Sequence, residues 1–390
     1  ISKKKKRMVS IKNKVINSIA LGLLLIPLNI YSQVTGNYSS RDEVSTFVDN
    51  MSLKHGFDRN KLMVLLSNSV FQEKVVRIMD RQPEGTMTWT RYKNMMVTDA
   101  RLESGSEFIR EHRGALKRAE DLYGVPASII ASIIGIETRY GRIQGNIKVI
   151  DSLMTLSFDY PRRGTFFRTQ LEEFLLLCRE EGFDAKEIKG SIAGAMGYGQ
   201  FMPDSYRNYA VDFDGDSVRD LLSNPVDAIG SVANFLSKKG KWKSNIPVAI
   251  MTNFTGSRLG SDKSHKISSG ENLSLIAKKY RTSVSLIAKN NNLENYNQIV
   301  QGQTLIIPGK GNLKSAFKPY MTLNDANLMG LSPKEPVTGN LKVVPIELQL
   351  DNGYEYWLGF DNYYSLSRYN RSKLYVMAVL HFSKSLSKFF

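Results

Sequence analysis

Residues 125–141, VPASIIASIIGIETRYG, constrain the fold of this chain more than any other stretch. Pro126 is tolerated in a first helical turn, and Gly141 is a common residue just past a helix end, so the stretch predicts one helix. Because apolar residues occupy nearly every face, that helix is expected to be buried. Small residues recur every four positions and let another backbone approach closely: Ala127, Ala131 and Gly135.

Glu137 falls in the last turn of this predicted helix. Loss of solvation and the negative end of the helix dipole both disfavour the ionised form, so we expect a raised pKa. A carboxyl group of that kind suits a general acid. The alternative is a structural ion pair with Arg139 or Arg142, since perturbed carboxylates also occur in structural networks.

The N-terminal residues have the composition of a secretory signal peptide. The first 14 residues carry seven lysines and arginines and no acid, and an apolar run follows over residues 15–30. The run is short for a bilayer span and is interrupted by Pro27. We predict a signal peptide over residues 1–32, cleaved after Ser32, and an exported protein. No cysteine lies near that point, so no lipoprotein anchor is expected.

Charge and cysteine content exclude some classes of function. Without the leader, the chain still has 46 basic residues and only 37 acidic residues. A basic protein suits nucleic acid, anionic lipid or an anionic cell-wall polymer, and export argues against nucleic acid. The single cysteine, Cys178, lies in a leucine-rich stretch and is expected to fill the core. The four histidines show no metal or triad spacing, which disfavours nucleophilic triads.

A glycine-rich stretch, SIAGAMGYGQFMPDSY, begins at Ser191. Gly194, Gly197 and Gly199 are too many for a stable helix and imply a close backbone approach. The Gly-Lys-Ser/Thr ending of a phosphate loop is missing. A polar ligand such as a sugar, held by backbone amides, Ser191 and Gln200, fits this stretch better.

Two aromatic segments are candidates for ligand contact. Residues 41–124 are mostly helical in pattern, with a predicted loop at residues 83–92 in which Trp89 and Tyr92 are either a lid on the core or a stacking platform. Near the C-terminus, a hairpin is predicted around the turn at residues 351–353, followed by an apolar helix. Three polar and aromatic residues would line a cleft if that helix packs against the central one: Tyr369, Asn370 and Tyr375.

Asp212, Asp214 and Asp216 occupy alternate positions of a glycine-containing turn. This spacing matches the start of an EF-hand loop, in which the backbone carbonyl of Val218 would follow. The match then fails, so a closing carboxylate must come from elsewhere, and Asp227 is nearest. Calcium binding and a solvated acidic turn are the two interpretations.

Residues 264–308 form a second module after a polar linker. The pattern is short strand, helix, helix, short strand, with an apolar face on each helix. The module resembles a LysM domain through SSGENLSLIAKKY, the NNL turn and QGQTLIIP. This resemblance implies binding of N-acetylglucosamine-containing polymers, chiefly peptidoglycan or chitin.

The rest of the chain resembles the soluble lytic transglycosylase B family, glycoside hydrolases with a lysozyme-like core. The resemblance rests on ASIIGIETRYG, SIAGAMGYGQFMPDSY, DFDGD, NPVDAIGSVANFL, YWLGFDNYYSLSRYNRSKLY and WTRY. It covers about residues 41–255 and 314–385, so the LysM-like module would be inserted into a discontinuous catalytic domain. Exposed loops tolerate insertions of this kind.

We therefore predict a mainly α protein: a lysozyme-like helical catalytic domain with a small β-hairpin region, plus an inserted βααβ LysM domain. The catalytic domain would comprise residues 33–255 and 313–390, with linkers and module in residues 256–312. A monomer is expected, and the family favours the periplasm.

The family also implies the residues of the site. Glu137 would be the sole acid/base catalyst. Residues that correspond by motif to sugar contacts are Tyr92, Ser191, Gln200, Phe235, Tyr369, Asn370 and Tyr375. At Phe235 the family has a tyrosine, so one phenol hydroxyl is missing here. The family's calcium site corresponds to Asp212, Asp214, Asp216, Asp227 and the carbonyl of Val218.

The chemistry follows from having one carboxylate where glycoside cleavage normally needs two. In this family the 6-hydroxyl of the muramoyl ring attacks, closing a 1,6-anhydro ring without water. Glu137 would protonate the leaving oxygen and then take the proton of that hydroxyl, while Gln200 would hold the carboxyl in place. No cofactor is needed for this chemistry, and peptidoglycan glycan strands are the expected partner. Two alternatives stay open: a hydrolytic muramidase with a hidden second acid, and a non-catalytic wall-binding protein.

Overall fold

The computed structural model describes residues 36–80, 87–255, 263–280, 284–296, 299–307 and 316–390. The predicted signal peptide and most of the two linkers lie outside these residues. Among the described residues, no single helix is long and apolar enough to cross a membrane. Asp99–Tyr123 and Ala127–Thr138 reach that length and apolarity only when taken together, and this pair is bent by 117°.

Helices dominate the first two thirds of the described chain. They are α1 (Asp42–His55), α2 (Arg59–Ser67), α3 (Glu73–Met79), α4 (Trp89–Met96), α5 (Asp99–Tyr123), α6 (Ala127–Thr138), α7 (Val149–Phe158), α8 (Gly164–Glu181), α9 (Pro203–Tyr209) and α10 (Pro225–Lys238). Two short strands, β1 (Ile147–Lys148) and β2 (Lys189–Gly190), pair antiparallel beside them. The expected helical pattern before residue 124 is confirmed.

Helix α6 lies at the centre of this helical part. Ten of its twelve residues are buried, as expected of a helix that is apolar on all sides. It packs against α5, α10 and α15 (Lys373–Leu386). A side chain at Gly135 would come within 2.8 Å of Phe382 on α15, so the small residue is what allows this close contact. Cys178 is buried as predicted, and burial raises the pKa of its thiol to about 12.

The β structure is larger than the predicted hairpin region. Five antiparallel strands, β3 (Ala249–Phe254), β6 (Met321–Thr322), β7 (Leu331–Pro333), β8 (Lys342–Gln349) and β9 (Tyr354–Gly359), lie in the order β6-β8-β9-β3-β7. The predicted hairpin is β8–β9, with Gly353 at φ +93° in its turn. Strands β6 and β7 were missed because two or three residues are too few to show alternation. The six-residue strand β3 was missed because its partners come later in the chain.

The sheet is formed by strands that lie before and after residues 263–307 in the chain. Strand β3 pairs with β9 and with β7, both of which come later in the chain. The later part also contains α13 (Leu323–Leu328) and α14 (Asp361–Ser367).

Residues 263–307 have the predicted strand, helix, helix, strand order. These elements are β4 (Lys263–Lys266), α11 (Leu273–Tyr280), α12 (Val284–Asn290) and β5 (Thr304–Ile307), with β4 antiparallel to β5. They enclose a small core of their own that includes Ile267, Ile276 and Leu305.

Candidate active site

Glu137 lies half-buried in the last turn of α6 and accepts a hydrogen bond from a tyrosine of α15. The Tyr375 hydroxyl donates to Glu137 Oε1 at 2.6 Å. Burial, with the negative charge of Glu137, raises the pKa of Tyr375 well above its usual value, so the phenol stays protonated and remains a donor. The predicted packing of the C-terminal helix on the central helix is therefore present, and it brings Tyr375 to the carboxylate.

The chain after Glu137 leaves the helix through two residues in the left-handed region. Arg139 and Tyr140 have φ values of 51° and 59°, which is uncommon for residues with a side chain. Thr138 holds this exit, because its Oγ1 accepts from Gly141 N at 2.9 Å. The same oxygen lies 2.9 Å from the carbonyl of Tyr198, so the hydroxyl can also tie α6 to the glycine-rich loop.

Replacing Thr138 by Val is expected to destabilise the protein by about 1–2 kcal/mol, because the partly buried N–H of Gly141 loses its acceptor. Thermal unfolding checks this prediction, with Thr138→Ser as the control that keeps the hydroxyl. Equal melting temperatures for the Val and Ser variants would contradict it.

One arginine of the ion-pair alternative, Arg142, contacts α5. Arg142 donates to Ser104 Oγ at 2.9 Å and to Glu107 Oε2 at 3.4 Å, both on α5. Arg139 is exposed. These contacts join the end of α6 to α5.

Residues 191–202, the glycine-rich loop, form no helix, as predicted, and their glycines lie close to other parts of the protein. The last four residues of the stretch begin α9. Gly197 has φ +70°, and a Cβ on it would lie 2.1 Å from the carbonyl oxygen of Leu221. A Cβ on Gly199 would lie 2.8 Å from the hydroxyl of Tyr369, which donates to Gly199 O at 2.5 Å. The close backbone approach is therefore explained by contacts within the protein.

Ser191 and Gln200 brace the same loop. Ser191 Oγ accepts from the backbone N–H groups of Ala193 and Ala195, at 3.3 and 3.0 Å. Gln200 Nε2 donates to the carbonyls of Gln144 and Gly197, both at 3.0 Å. The interaction in which Gln200 would hold the catalytic carboxyl in place stays a prediction.

Aromatic rings form a wall beside Glu137. The rings of Tyr369 and Tyr375 are nearly parallel, 8° apart with centroids 6.4 Å apart. Phe235, buried on α10, lies 4.9 Å from Tyr369. Asn370 is exposed next to this wall. We call Phe235, Tyr369 and Tyr375 the aromatic wall.

The predicted loop around Trp89 and Tyr92 is wrong for these two residues, which lie on α4 and are buried. Thr88 caps the helix by accepting from Arg91 N, and its hydroxyl donates to Asp351 Oδ1 at 2.7 Å in the β8–β9 turn. Contact with that distant turn stabilises a short helix that local propensity does not reveal.

The acidic residues predicted as a metal site come together. Carboxylate oxygens of Asp212, Asp214, Asp216 and Asp227 all lie within 4.8 Å of one another. Desolvation acts to raise the pKa of Asp212, but the backbone N–H groups of three following residues outweigh it, and the pKa is lowered. Four carboxylates at this spacing are the oxygen donors that a hard cation such as Ca²⁺ prefers.

Asp227 is the buried member of this cluster, on the first turn of α10. Its Oδ1 accepts from Phe213 N at 2.6 Å and its Oδ2 from Asp220 N at 2.8 Å. Val218 lies on the same turn and donates its N–H to Asp216 Oδ1 at 2.8 Å. Asp227 is thus held in place by the acidic turn.

Comparison with known proteins identifies the family of this chain. The chain matches the Transglycosylase SLT domain family over residues 39–312 and 301–384. It is 36% identical over 375 residues to the membrane-bound lytic murein transglycosylase B of Escherichia coli strain K12, covering 94% of this chain and 88% of the relative.

Solved structures give the same result. The lytic transglycosylase Slt35 of Escherichia coli in complex with bulgecin A superimposes with a TM-score of 0.72 and 36% identity, covering 91% of this chain and 95% of that one. Slt35 in complex with calcium gives a TM-score of 0.70 and 35% identity over the same shares. The fold is that of a lytic transglycosylase. The chain belongs to the transglycosylase SLT domain family.

Proposed function

We propose that this chain cleaves the β-1,4 bond between N-acetylmuramic acid and N-acetylglucosamine with Glu137 as the only acid/base and the substrate's own 6-hydroxyl as the nucleophile. Lytic cleavage of peptidoglycan is the activity of its family. The observation that best supports the finer proposal is the position of Glu137: a half-buried carboxyl at the end of α6, hydrogen-bonded by Tyr375 and flanked by the aromatic wall.

In the proposed reaction, protonated Glu137 donates its proton to the glycosidic oxygen, and the bond from that oxygen to C1 of the muramoyl ring breaks. The positive charge that develops at C1 is relieved when the 6-oxygen of the same ring bonds to C1. Glu137, now a carboxylate, takes the proton of that hydroxyl and is ready for another cycle. The reaction requires no second carboxylate and consumes no water molecule.

The other proposed site residues would bind and orient the sugar. Rings of the aromatic wall suit the apolar faces of hexoses. Tyr92, Ser191, Gln200 and Asn370 carry the hydroxyl and amide groups that acetamido substituents bind through hydrogen bonds. The Tyr375 hydroxyl, bound to Oε1, would fix the carboxyl so that its other oxygen exchanges the proton.

The mass of the released muropeptides tests this function. Digestion of purified peptidoglycan should give muramoyl ends lighter by one water than reducing ends. Hydrated ends would show a hydrolytic muramidase, and wall binding without products would show a non-catalytic binding protein. Either result would reject the proposal.

We also propose that residues 264–308 are a LysM domain that binds N-acetylglucosamine-containing polymer. The motifs SSGENLSLIAKKY and QGQTLIIP support this, as do the strand, helix, helix, strand order and a core separate from that of the enzyme.

Replacing residues 256–315 by a flexible linker should lower binding to insoluble peptidoglycan by roughly 10-fold or more, since a linked second binding site adds avidity. Turnover of short soluble glycan fragments should stay near the level of the intact protein. Pull-down with sacculi and the fragment assay measure the two effects. Unchanged sacculus binding would contradict the LysM proposal.

We further propose a structural calcium ion held by Asp212, Asp214, Asp216, Asp227 and the carbonyl of Val218. The four converging carboxylates support it, and the similar protein Slt35 was solved in complex with calcium. The ion would join the acidic turn to the first turn of α10, and it takes no part in the chemistry.

Calcium at 100 times its Kd should stabilise the protein by about 2.7 kcal/mol, which raises Tm by roughly 3–5 °C for a domain of this size. Asp227→Asn should remove this shift, whereas Asp121→Asn on α5 should keep it. Calorimetry with calcium or a chelator measures the shift, and a Tm that ignores calcium would contradict the site.

The cell envelope is the proposed location. The basic and apolar leader supports export, and a 36% identical relative is named membrane-bound.

A further inference from the structure

Arg101 is a buried cation that contacts the C-terminal end of α4. It lies in the first turn of α5 with 8% of its surface exposed. Its Nη1 donates to the carbonyl of Met95 at 3.1 Å and to the carbonyl of Met96. These are the last two residues of α4, whose carbonyl groups have no partner within the helix.

The charge of Arg101 is balanced by a helix end. Within the described part of the chain, no carboxylate forms an ion pair with its guanidinium, and its Nε is buried without a partner. The negative end of the α4 dipole is what faces this cation. A buried cation of this kind is costly unless its geometry is well fixed, which indicates a specific role.

The surroundings of Arg101 connect α4 to the chain that follows Glu137. Burial lowers the pKa of Arg101, and the nearby Arg139 lowers it further. The phenols of Tyr140 and Tyr92 act in the opposite direction. The guanidinium binds the end of α4, and the Tyr140 hydroxyl lies against Gly105, one turn along α5 from Arg101. Arg101 therefore lies near both α4 and the segment that leaves α6 directly after the catalytic residue.

Helix α4 has only eight residues and is held at both ends by contacts outside itself. At its start, the hydroxyl of Thr88 binds Asp351, and the ring of Trp89 lies 5.2 Å from that of His381 on α15. At its end, Arg101 binds the last two carbonyls. Tyr92 lies between these attachments. Helix α4 packs against α15, the helix that carries Tyr375, and Tyr92 is buried on α4. Burial raises the pKa of Tyr375, and Tyr92 contributes to that rise, in keeping with this packing.

We propose that Arg101 is a positioning residue for the transglycosylase reaction, which fixes the end of α4 and thereby the place of Tyr92 beside Glu137. This inference rests on the proposed role of Tyr92 as a substrate contact. Arg101 itself touches neither the substrate nor the reacting atoms. Its removal would leave two helix carbonyls unsatisfied and let Tyr92 shift from the sugar.

A double-mutant cycle between Arg101 and Tyr92 tests the inference. Arg101→Met should lower kcat/KM on soluble glycan by roughly 10- to 100-fold, because small misplacements near a reacting centre cost that much. Tyr92→Phe should lower it too. If Arg101 acts through Tyr92, the double variant should lose no more than the larger single loss.

Control variants separate positioning from general stability. Arg168 makes the same kind of contact, donating to Ser157 O at 2.8 Å near the end of α7, a helix that carries none of the proposed site residues. Arg168→Met should lower Tm and leave kcat/KM per folded molecule unchanged. Arg101→Lys keeps the charge and should restore part of the activity; it replaces Arg101→Met in the cycle if that variant does not fold.

Two results would overturn the inference. One is a wild-type kcat/KM in the folded Arg101 variant, and the other is full additivity of the Arg101 and Tyr92 changes. Both are distinct from a failure of the proposed function, which would appear as hydrated products from the unmodified enzyme.

Discussion

Glu137→Gln is expected to lower turnover of peptidoglycan by roughly 10²- to 10⁴-fold, because an amide can neither donate the proton to the leaving oxygen nor take one from the attacking hydroxyl. The amide has nearly the shape of the carboxyl, so the fold and glycan binding should stay intact. Soluble muropeptide release per minute measures the loss, and co-sedimentation with sacculi measures binding.

The exposed Glu103 on α5 gives a matched control. Glu103→Gln removes one carboxylate from the surface and should leave turnover unchanged. Muropeptide release by the Glu137 variant at the wild-type rate would reject Glu137 as the acid/base.

Tyr375→Phe is expected to have the second largest effect, a fall in kcat of about 10- to 100-fold. The variant keeps the ring in the aromatic wall but removes the hydroxyl that lies 2.6 Å from Glu137 Oε1. Hydrogen bonds to charged groups contribute about 1.5–3 kcal/mol, and that amount sets the expected range. Because the hydroxyl acts on the carboxylate more than on the sugar, KM should change less than kcat.

Tyr364→Phe, at a half-buried position on α14, is the control for loss of a phenol elsewhere. It should leave kcat unchanged. If Tyr375→Phe showed the full kcat of the parent, the hydrogen bond seen at Glu137 would have no role in the reaction.

Structural features that depend on one continuous stretch of sequence could be predicted. Helix α6 was predictable because its apolar residues cover every face and Pro126 precedes it, and that placed Glu137 in the last turn. The acidic turn was predictable because the spacing of Asp212, Asp214 and Asp216 is local. The β8–β9 hairpin followed from its turn residues in the same way.

Features that depend on distant contacts could not be predicted from local pattern. Tyr375 and Glu137 are 238 positions apart, so the sequence could place them together only on the condition that the C-terminal helix packs against the central one. The helix that carries Tyr92 depends on a contact with Asp351, so its residues resembled a loop. The site residues Thr138 and Arg101 were missed because their roles lie in backbone contacts, which no motif records.

The five-stranded sheet shows the same limit. Its strand β3 precedes residues 263–307, and its partners β7 and β9 follow them. Pairing across such a separation is specified by burial of the whole sheet and leaves little trace in any one window. Phe235 illustrates a finer case: its motif assigned it only as a position of sugar contact, while its packing against Phe201 and Tyr369 appears only in the structure.

Digestion of peptidoglycan in water enriched in a heavy oxygen isotope tests the central claim most directly. If the 6-hydroxyl of the muramoyl ring is the nucleophile and Glu137 its base, no heavy oxygen should enter the newly formed muramoyl ends. One heavy oxygen at C1 of each new end would show that water attacks, and would contradict the single-carboxylate mechanism.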